Sequence, residues 1–241
     1  LAMVDAAADT GCDAIKIQTY TADTITLDVD RPEFKIHGGL WDGRTLYELY
    51  QEAQTPFEWH AAIFERARAR GVTIFSSPFD ETAVDLLDSL DAPAFKIASF
   101  EAVDLPLIKY AAAKGKPLII STGMANLQEM QTIAGYGMPV KVFLINNSGY
   151  VSIFQTHRNF FIGVEVGGGP KSNGTFPSFK RIADAFGFAY ARAEGHNDLP
   201  AAIAATLDAP EPALCEIIVD EHVAFAPKLS AKGHPDGRCL L

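Results

Sequence analysis

Short apolar runs rich in β-branched residues alternate with stretches of helical apolar spacing along most of the chain. That alternation dictates a parallel sheet, because a strand that is followed by a helix rejoins its sheet through a crossover connection. Strands are expected at residues 14–19, 73–76, 94–99, 117–121, 140–146, 188–193 and 213–219. The expected class is therefore α/β, a parallel sheet of about seven strands with crossover helices. Two architectures satisfy it: a sheet that curls toward an incomplete (β/α)₈ barrel, or a flat, doubly wound one. In both, ligands sit at the carboxyl ends of the strands.

The helices carry readable ends. Thr55-Pro56-Phe57-Glu58 has the form of a capping box with proline at the first helical position, and Gly71 is placed to close that helix. Asn126 with Glu129, and Asp198 with Pro200, mark two later starts. Leu86, Leu87 and Leu90 recur at helical spacing and are expected to face the sheet. Residues 28–50 and 163–175 are expected to be long loops, which are more often functional than idle. The second contains Gly167-Gly168-Gly169, a weak phosphate cradle without a strand-turn-helix context. The opening Leu1-Ala2-Met3 has the character of mid-helix, so an upstream truncation is expected.

Composition narrows the partners. A net charge of −10 on 241 residues disfavours nucleic acid and anionic membranes, since phosphates would be repelled. It leaves room for a small anion held by local lysines. No run approaches the ~18 apolar residues of a membrane span. Cys12, Cys215 and Cys239 are far apart and suit buried thiols in a reducing cytoplasm.

Polar groups gather where strands give way to loops. Lys16 and Lys96 each sit between apolar neighbours within a strand, on the face opposite those neighbours. An uncompensated inward charge is expensive, so two such lysines on neighbouring strands call for an anion between them. Ser99 and Ser121, at strand ends, can complete its hydrogen bonds. The bland alternative is a structural ion pair for each lysine.

Four segments carry a resemblance: Lys16-Ile17-Gln18-Thr19-Tyr20, Phe75-Ser76-Ser77-Pro78-Phe79-Asp80, Lys96-Ile97-Ala98-Ser99-Phe100-Glu101 and Ser121-Thr122-Gly123-Met124. With Leu40-Trp41-Asp42-Gly43-Arg44-Thr45-Leu46-Tyr47-Glu48-Leu49-Tyr50, residues 1–125 resemble the nonulosonic acid synthases, closest to pseudaminic acid synthases. The resemblance implies a (β/α)-barrel domain and condensation of phosphoenolpyruvate with an amino sugar aldehyde, a carbon–carbon bond-forming transfer. It implies that Lys16 and Lys96 bind phosphoenolpyruvate with Ser99 and Ser121, that Gln18 and Glu101 hold the sugar, and that Ser77 and Phe79 line the pocket. It implies a homo-oligomer and a divalent metal, Mn²⁺ or Mg²⁺. The family holds that metal by histidines where this chain reads Phe143-Leu144-Ile145-Asn146-Asn147, so the ligands are expected to be missing and activity impaired.

Residues 126–241 resemble something else. Asn126-Leu127-Gln128-Glu129, Leu144-Ile145-Asn146-Asn147-Ser148-Gly149-Tyr150, Ser152-Ile153-Phe154-Gln155-Thr156 and Phe176-Pro177-Ser178-Phe179 resemble the C-terminal domain of acetolactate-synthase-like thiamine-diphosphate enzymes. That implies a doubly wound, Rossmann-like second half, with Asn147 and Gly149 binding the Mg²⁺ of thiamine diphosphate. The family's metal-binding aspartate falls where Ile120 stands. The expected domains are thus 1–125 and 126–241, a partial barrel joined to a partial cofactor domain. Three functions follow in order: a synthase, a thiamine-diphosphate-binding half-domain, and a non-catalytic chimera or assembly module.

Overall fold

The computed structural model describes residues 1–38, 41–123, 127–151, 153–154, 167–172, 174–220, 232–233 and 239–240. The expected join at Ala125–Asn126, Leu40, Ser152, residues 155–166, His157, His222, His234 and the tail at 221–231 lie outside the described residues. The chain divides into two compact units, Leu1–Ala125 with Gly233–Leu240, and Asn126–Lys232 with Leu241. Both are α/β with parallel sheets.

In the first unit, α1 (Ala2–Asp9), β1 (Ala14–Thr19) and α2 (Ala22–Ile25) lead through a 3₁₀ turn at Pro32–Phe34 to α3 (Leu46–Ala53). A second 3₁₀ turn, Phe57–Trp59, runs into α4 (His60–Ala69), followed by β2 (Thr73–Pro78), α5 (Glu81–Ser89) and β3 (Phe95–Ile97). A third, Phe100–Val103, precedes α6 (Leu105–Ala112) and β4 (Leu118–Ile120). The strands form one parallel sheet in the order β1-β2-β3-β4. One face carries Ile15, Ile17, Ile74, Phe95 and Ile97, packed on Phe64, Ala67, Val84, Leu87, Leu107 and Ala111 from the helices. The opposite face presents Lys16 and Gln18, both exposed. Leu87 is buried as expected, and α4 ends in a left-handed Gly71 whose neighbour Val72 N–H returns to Ala67 O, a Schellman motif.

Two local expectations are corrected. Thr55-Pro56-Phe57-Glu58 forms no capping box: Pro56 has ψ 136°, and its carbonyl accepts from Trp59 N–H and from the His60 ring, so the chain winds a 3₁₀ turn first. The box lies earlier, within the segment read as loop. Thr45 Oγ1 accepts from Glu48 N–H at 3.2 Å, and Glu48 Oε2 accepts from Thr45 N–H at 2.9 Å, starting α3. Cys12 is exposed rather than buried, because it follows the end of α1; Cys215 is buried.

The second unit holds α7 (Leu127–Gly135), β5 (Lys141–Asn146), a 3₁₀ turn at Pro170–Ser172, α8 (Phe179–Phe186), β6 (Ala189–Ala193), α9 (Leu199–Asp208) and β7 (Ala213–Ile218). Its parallel sheet runs β5-β7-β6. Met130, Ile133, Ala183 and Phe186 cover Val142, Leu214 and Tyr190 on one face; Leu199 and Ala202 cover Ala191, Cys215 and Ile217 on the other. Helices on both faces are what a doubly wound layer requires. A separate two-stranded ribbon pairs β8 (Lys232–Gly233) with β9 (Cys239–Leu240).

Candidate functional site

Register builds the site of the first unit. Gln18 pairs with Ser77 across β1 and β2, and the pairing of Ser76 with Phe95 brings Ser77 and Lys96 alongside one residue on. Lys96 pairs with Ile119 of β4, and Ser121 N–H bonds to Ile97 O at 3.0 Å, which brings the Ser121 hydroxyl to Lys96 Nζ at 2.8 Å. Burial, and next the charge of Lys16, push the Lys96 pKa down, while Glu101 acts in the opposite sense. Lys96 therefore lies within the field of both Lys16 and Glu101.

Among the described residues, two buried oxygens in this group have no hydrogen-bond partner: Ser77 Oγ and Glu101 Oε2. A buried polar atom left unpaired costs about 1–3 kcal/mol, so each marks a place where a partner belongs. Ser99 opens the 3₁₀ turn that carries Glu101. A Cβ on Gly123 would lie 2.9 Å from Ser99 Cβ, so only glycine lets the loop after β4 close on Ser99. Phe79, just beyond β2, packs edge-on against Tyr20 at 5.6 Å, and Tyr20 meets Tyr50 of α3 at 6.1 Å.

The structure thus gathers Lys16, Gln18, Ser77, Lys96, Ser99, Glu101 and Ser121 at the carboxyl ends of β1–β4, with Phe79 beside them. A cavity of about 320 Å³ at the amino end of β2, lined by Phe64, Arg68, Val72, Ile74, Asp91 and Pro93, contains none of these groups. Among the described residues no group of three or more His, Cys, Asp or Glu is arranged to hold a metal. The described residues supply no ligand set for the divalent ion implied for a synthase.

Sequence reading missed His60. It is fully buried and bonds to Thr19 Oγ1 at 2.8 Å; Thr19 in turn meets Ser76 Oγ at 2.7 Å. Burial pushes its pKa down. The available signal was its spacing with Phe64 and Ala67, which places it on the core face of α4.

Asn147 and Gly149 belong to the second unit, in one turn after β5. Asn147 Oδ1 accepts from Gly149 N–H at 3.2 Å, and Asn146 Oδ1 from Ser148 N–H at 2.9 Å, so both side chains bind their own loop. Each of these oxygens accepts one N–H and keeps a second lone pair. Gly149, Gly168 and Gly169 close on the Phe154 ring: a Cβ on Gly168 would fall 2.5 Å from Phe154 Cε1. Gly167 and Gly169 N–H bond to Ser172 O and Oγ, so two of the three amides of Gly167-Gly168-Gly169 are engaged within the loop. Sequence reading also missed Glu216, 4% exposed in β7, which accepts from Asn146 Nδ2 and from Tyr190 Oη. An acid within Ala213-Leu214-Cys215-Glu216-Ile217-Ile218 was the signal for it.

The sequence matches two family models: the NeuB family over residues 3–141, and the thiamine pyrophosphate enzyme C-terminal TPP binding domain over residues 109–217. It is 52% identical over 130 residues to a pseudaminic acid synthase of Campylobacter jejuni, covering 54% of this chain and 38% of that protein. It is 53% identical over 123 residues to a pseudaminic acid synthase of Helicobacter pylori, covering 51% and 36%. Among solved structures, an N-acetylneuraminic acid (sialic acid) synthetase from Leptospira borgpetersenii, in complex with citrate, aligns with TM-score 0.48 at 21% identity over 91% of this chain and 66% of that one. The chain spans well under half the length of the two curated relatives. With its model matched over residues 3–141, more than half of the sequence, the chain belongs to the NeuB family.

Proposed function

We propose that the first unit binds phosphoenolpyruvate and belongs to a nonulosonic acid synthase of the pseudaminic or sialic acid class, joining that substrate to an amino sugar aldehyde. The observation that carries this reading is the conjunction of two lysines with two unpartnered buried oxygens at one set of strand ends. Lys16 and Lys96 repel one another, and an anion between them turns that repulsion into two attractions. Its phosphate and carboxylate accept from the ammonium groups and from the hydroxyls of Ser99 and Ser121; Ser77 Oγ–H gains an acceptor. Gln18 and Glu101 face the sugar, and Phe79 walls the pocket.

In the condensation the enol carbon attacks the sugar aldehyde, water adds at the cationic carbon that results, and phosphate leaves. The lysines hold the phosphate and carboxylate in place and stabilise developing negative charge. In the same reading, residues 1–125 are part of a (β/α) barrel and 126–241 part of a doubly wound cofactor domain, working as a homo-oligomer in the cytoplasm. The test is a thermal melt with and without phosphoenolpyruvate. A rise in the wild type that Lys96→Ala abolishes supports the reading, and undiminished binding by that variant sinks it.

The match of residues 109–217 favours a second reading, a half-domain that binds thiamine diphosphate with Mg²⁺. Asn147 would offer the ion the second lone pair of Oδ1, the first being taken by Gly149 N–H. A melt raised by thiamine diphosphate and Mg²⁺ in the wild type but not in Asn147→Ala would support it, whereas indifference to that substitution counts against it.

A further inference from the structure

We infer that His60 is a positioning residue: through Thr19 and Ser76 it locks the carboxyl ends of β1 and β2 in the register that presents Gln18 and Ser77 to the ligand. This rests on the phosphoenolpyruvate reading of the first unit. The direction of the hydrogen-bond chain follows from its end. Pro56 O, 3.1 Å from His60 Nδ1, can only accept, so Nδ1 carries the proton and Nε2 of the neutral ring accepts. Thr19 Oγ1–H therefore donates to Nε2, and Thr19 Oγ1 accepts from Ser76 Oγ–H. Thr19, His60 and Ser76 are all fully buried, so no water competes for these bonds.

The place of this chain gives it its role. Thr19 pairs in the ladder with Pro78, which has no N–H to donate, so the backbone ladder is weakened at the strand ends that bear the site. The Thr19–Ser76 bond runs diagonally across β1 and β2, since Ser76 itself pairs with Ile17. A diagonal bond resists sliding of one strand along the other. Because side chains alternate, holding Thr19 and Ser76 on the helix-packed face holds Gln18 and Ser77 on the other. Ser77 Oγ has no partner of its own, so only backbone register can aim it.

The test uses the full chain with Thr19→Val, His60→Leu and His60→Gln. Two quantities are read: the dissociation constant for phosphoenolpyruvate, and backbone amide exchange at residues 17–20, 76, 77, 79 and 80 against residues 83–87 of α5. Thr19→Val keeps the shape and removes the central hydroxyl. It should weaken binding about tenfold and speed exchange at the strand ends alone by a similar factor. His60→Leu should do the same, and combining the two should add little, since both break one chain. His60→Gln, able to accept from Thr19 and donate to Pro56 O, should recover part of the loss. If His60→Leu does not fold, Thr19→Val decides. Exchange unchanged at the strand ends, exchange raised evenly through the unit, or local exchange raised with binding intact would each overturn the inference. Should the wild type bind no phosphoenolpyruvate, the ligand reading fails separately, and the exchange pattern alone decides whether His60 holds the register.

Discussion

The two units end their strands in opposite ways. At the carboxyl ends of β1–β4, Lys16 and Lys96 share a field with Glu101, and Ser77 Oγ and Glu101 Oε2 are buried without partners. Beyond β5, the described polar groups are spent on the chain itself. Asn146 and Asn147 bind Ser148 and Gly149 N–H, Glu216 takes up Asn146 and Tyr190, and the glycines close on Phe154. Unspent hydrogen-bonding capacity in a buried place has no structural explanation, so it points to a ligand. Spent capacity explains itself by stability. That contrast is why the proposed ligand site is placed in the first unit.

The contrast breaks most visibly at Lys96. Lys96→Ala should lower phosphoenolpyruvate affinity roughly 100-fold, the worth of about two charge-assisted hydrogen bonds, with little change in the melt of the unliganded chain. Calorimetric titration reads the first and a thermal scan the second; a large loss of stability with binding intact would move Lys96 to the structural side.

Glu216→Ala should do the reverse. It strands the Asn146 amide and the Tyr190 hydroxyl in a buried place, and should cost about 2–4 kcal/mol in urea unfolding of the second unit. Phosphoenolpyruvate binding by the first unit should persist. If instead Glu216→Ala is tolerated, its polar cluster is not what holds β5, β6 and β7 together.

Next in size is Gly168→Ala. Its new Cβ would lie 2.5 Å from the Phe154 ring, and overpacking of that kind should cost about 1–3 kcal/mol, seen as a lower urea midpoint. A neutral result would show that the glycine loop has slack, and would reopen it as a ligand site.

The smallest effect expected is a slope. Burial holds the His60 pKa below its ordinary 6.5, so the folded state favours the neutral ring. The unfolded chain then takes up the proton first on acidification. Stability from this source is complete above about pH 6.5 and is lost as pH falls toward the lower folded value. The melting temperature should decline from pH 7.5 to 5.5, and less steeply in His60→Gln; an identical slope in both would assign the acid sensitivity to other groups.

Much was legible beforehand. The strand positions follow from short β-branched runs between helical spacings, which is why β1 was read residue for residue and β2–β7 to within a few residues. Lys16 and Lys96 were readable because a charge between apolar neighbours in a strand has one face to go to. α3 was missed because residues 28–50 were read as one loop, and α4 starts later than Thr55–Glu58 suggests because the Pro56 carbonyl is taken by Trp59 N–H and the His60 ring, which winds a 3₁₀ turn first. His60 and Glu216 were passed over for a related reason: one polar residue in an apolar stretch does not reveal whether a partner waits for it.

Local order therefore came from the sequence by itself: strand and helix alternation, the helix ends at Gly71 and at Asp198 with Pro200, the lysine face, and two halves of different character. Tertiary structure alone decided which polar atoms are paired. Pairing depends on residues far apart in the chain, as Thr19 with His60 and Ser76, Lys96 with Ser121, and Asn146 with Glu216, and on register that only the assembled sheets define. A hydrogen bond needs its two atoms within about 3 Å of each other, and residue type alone places neither of them.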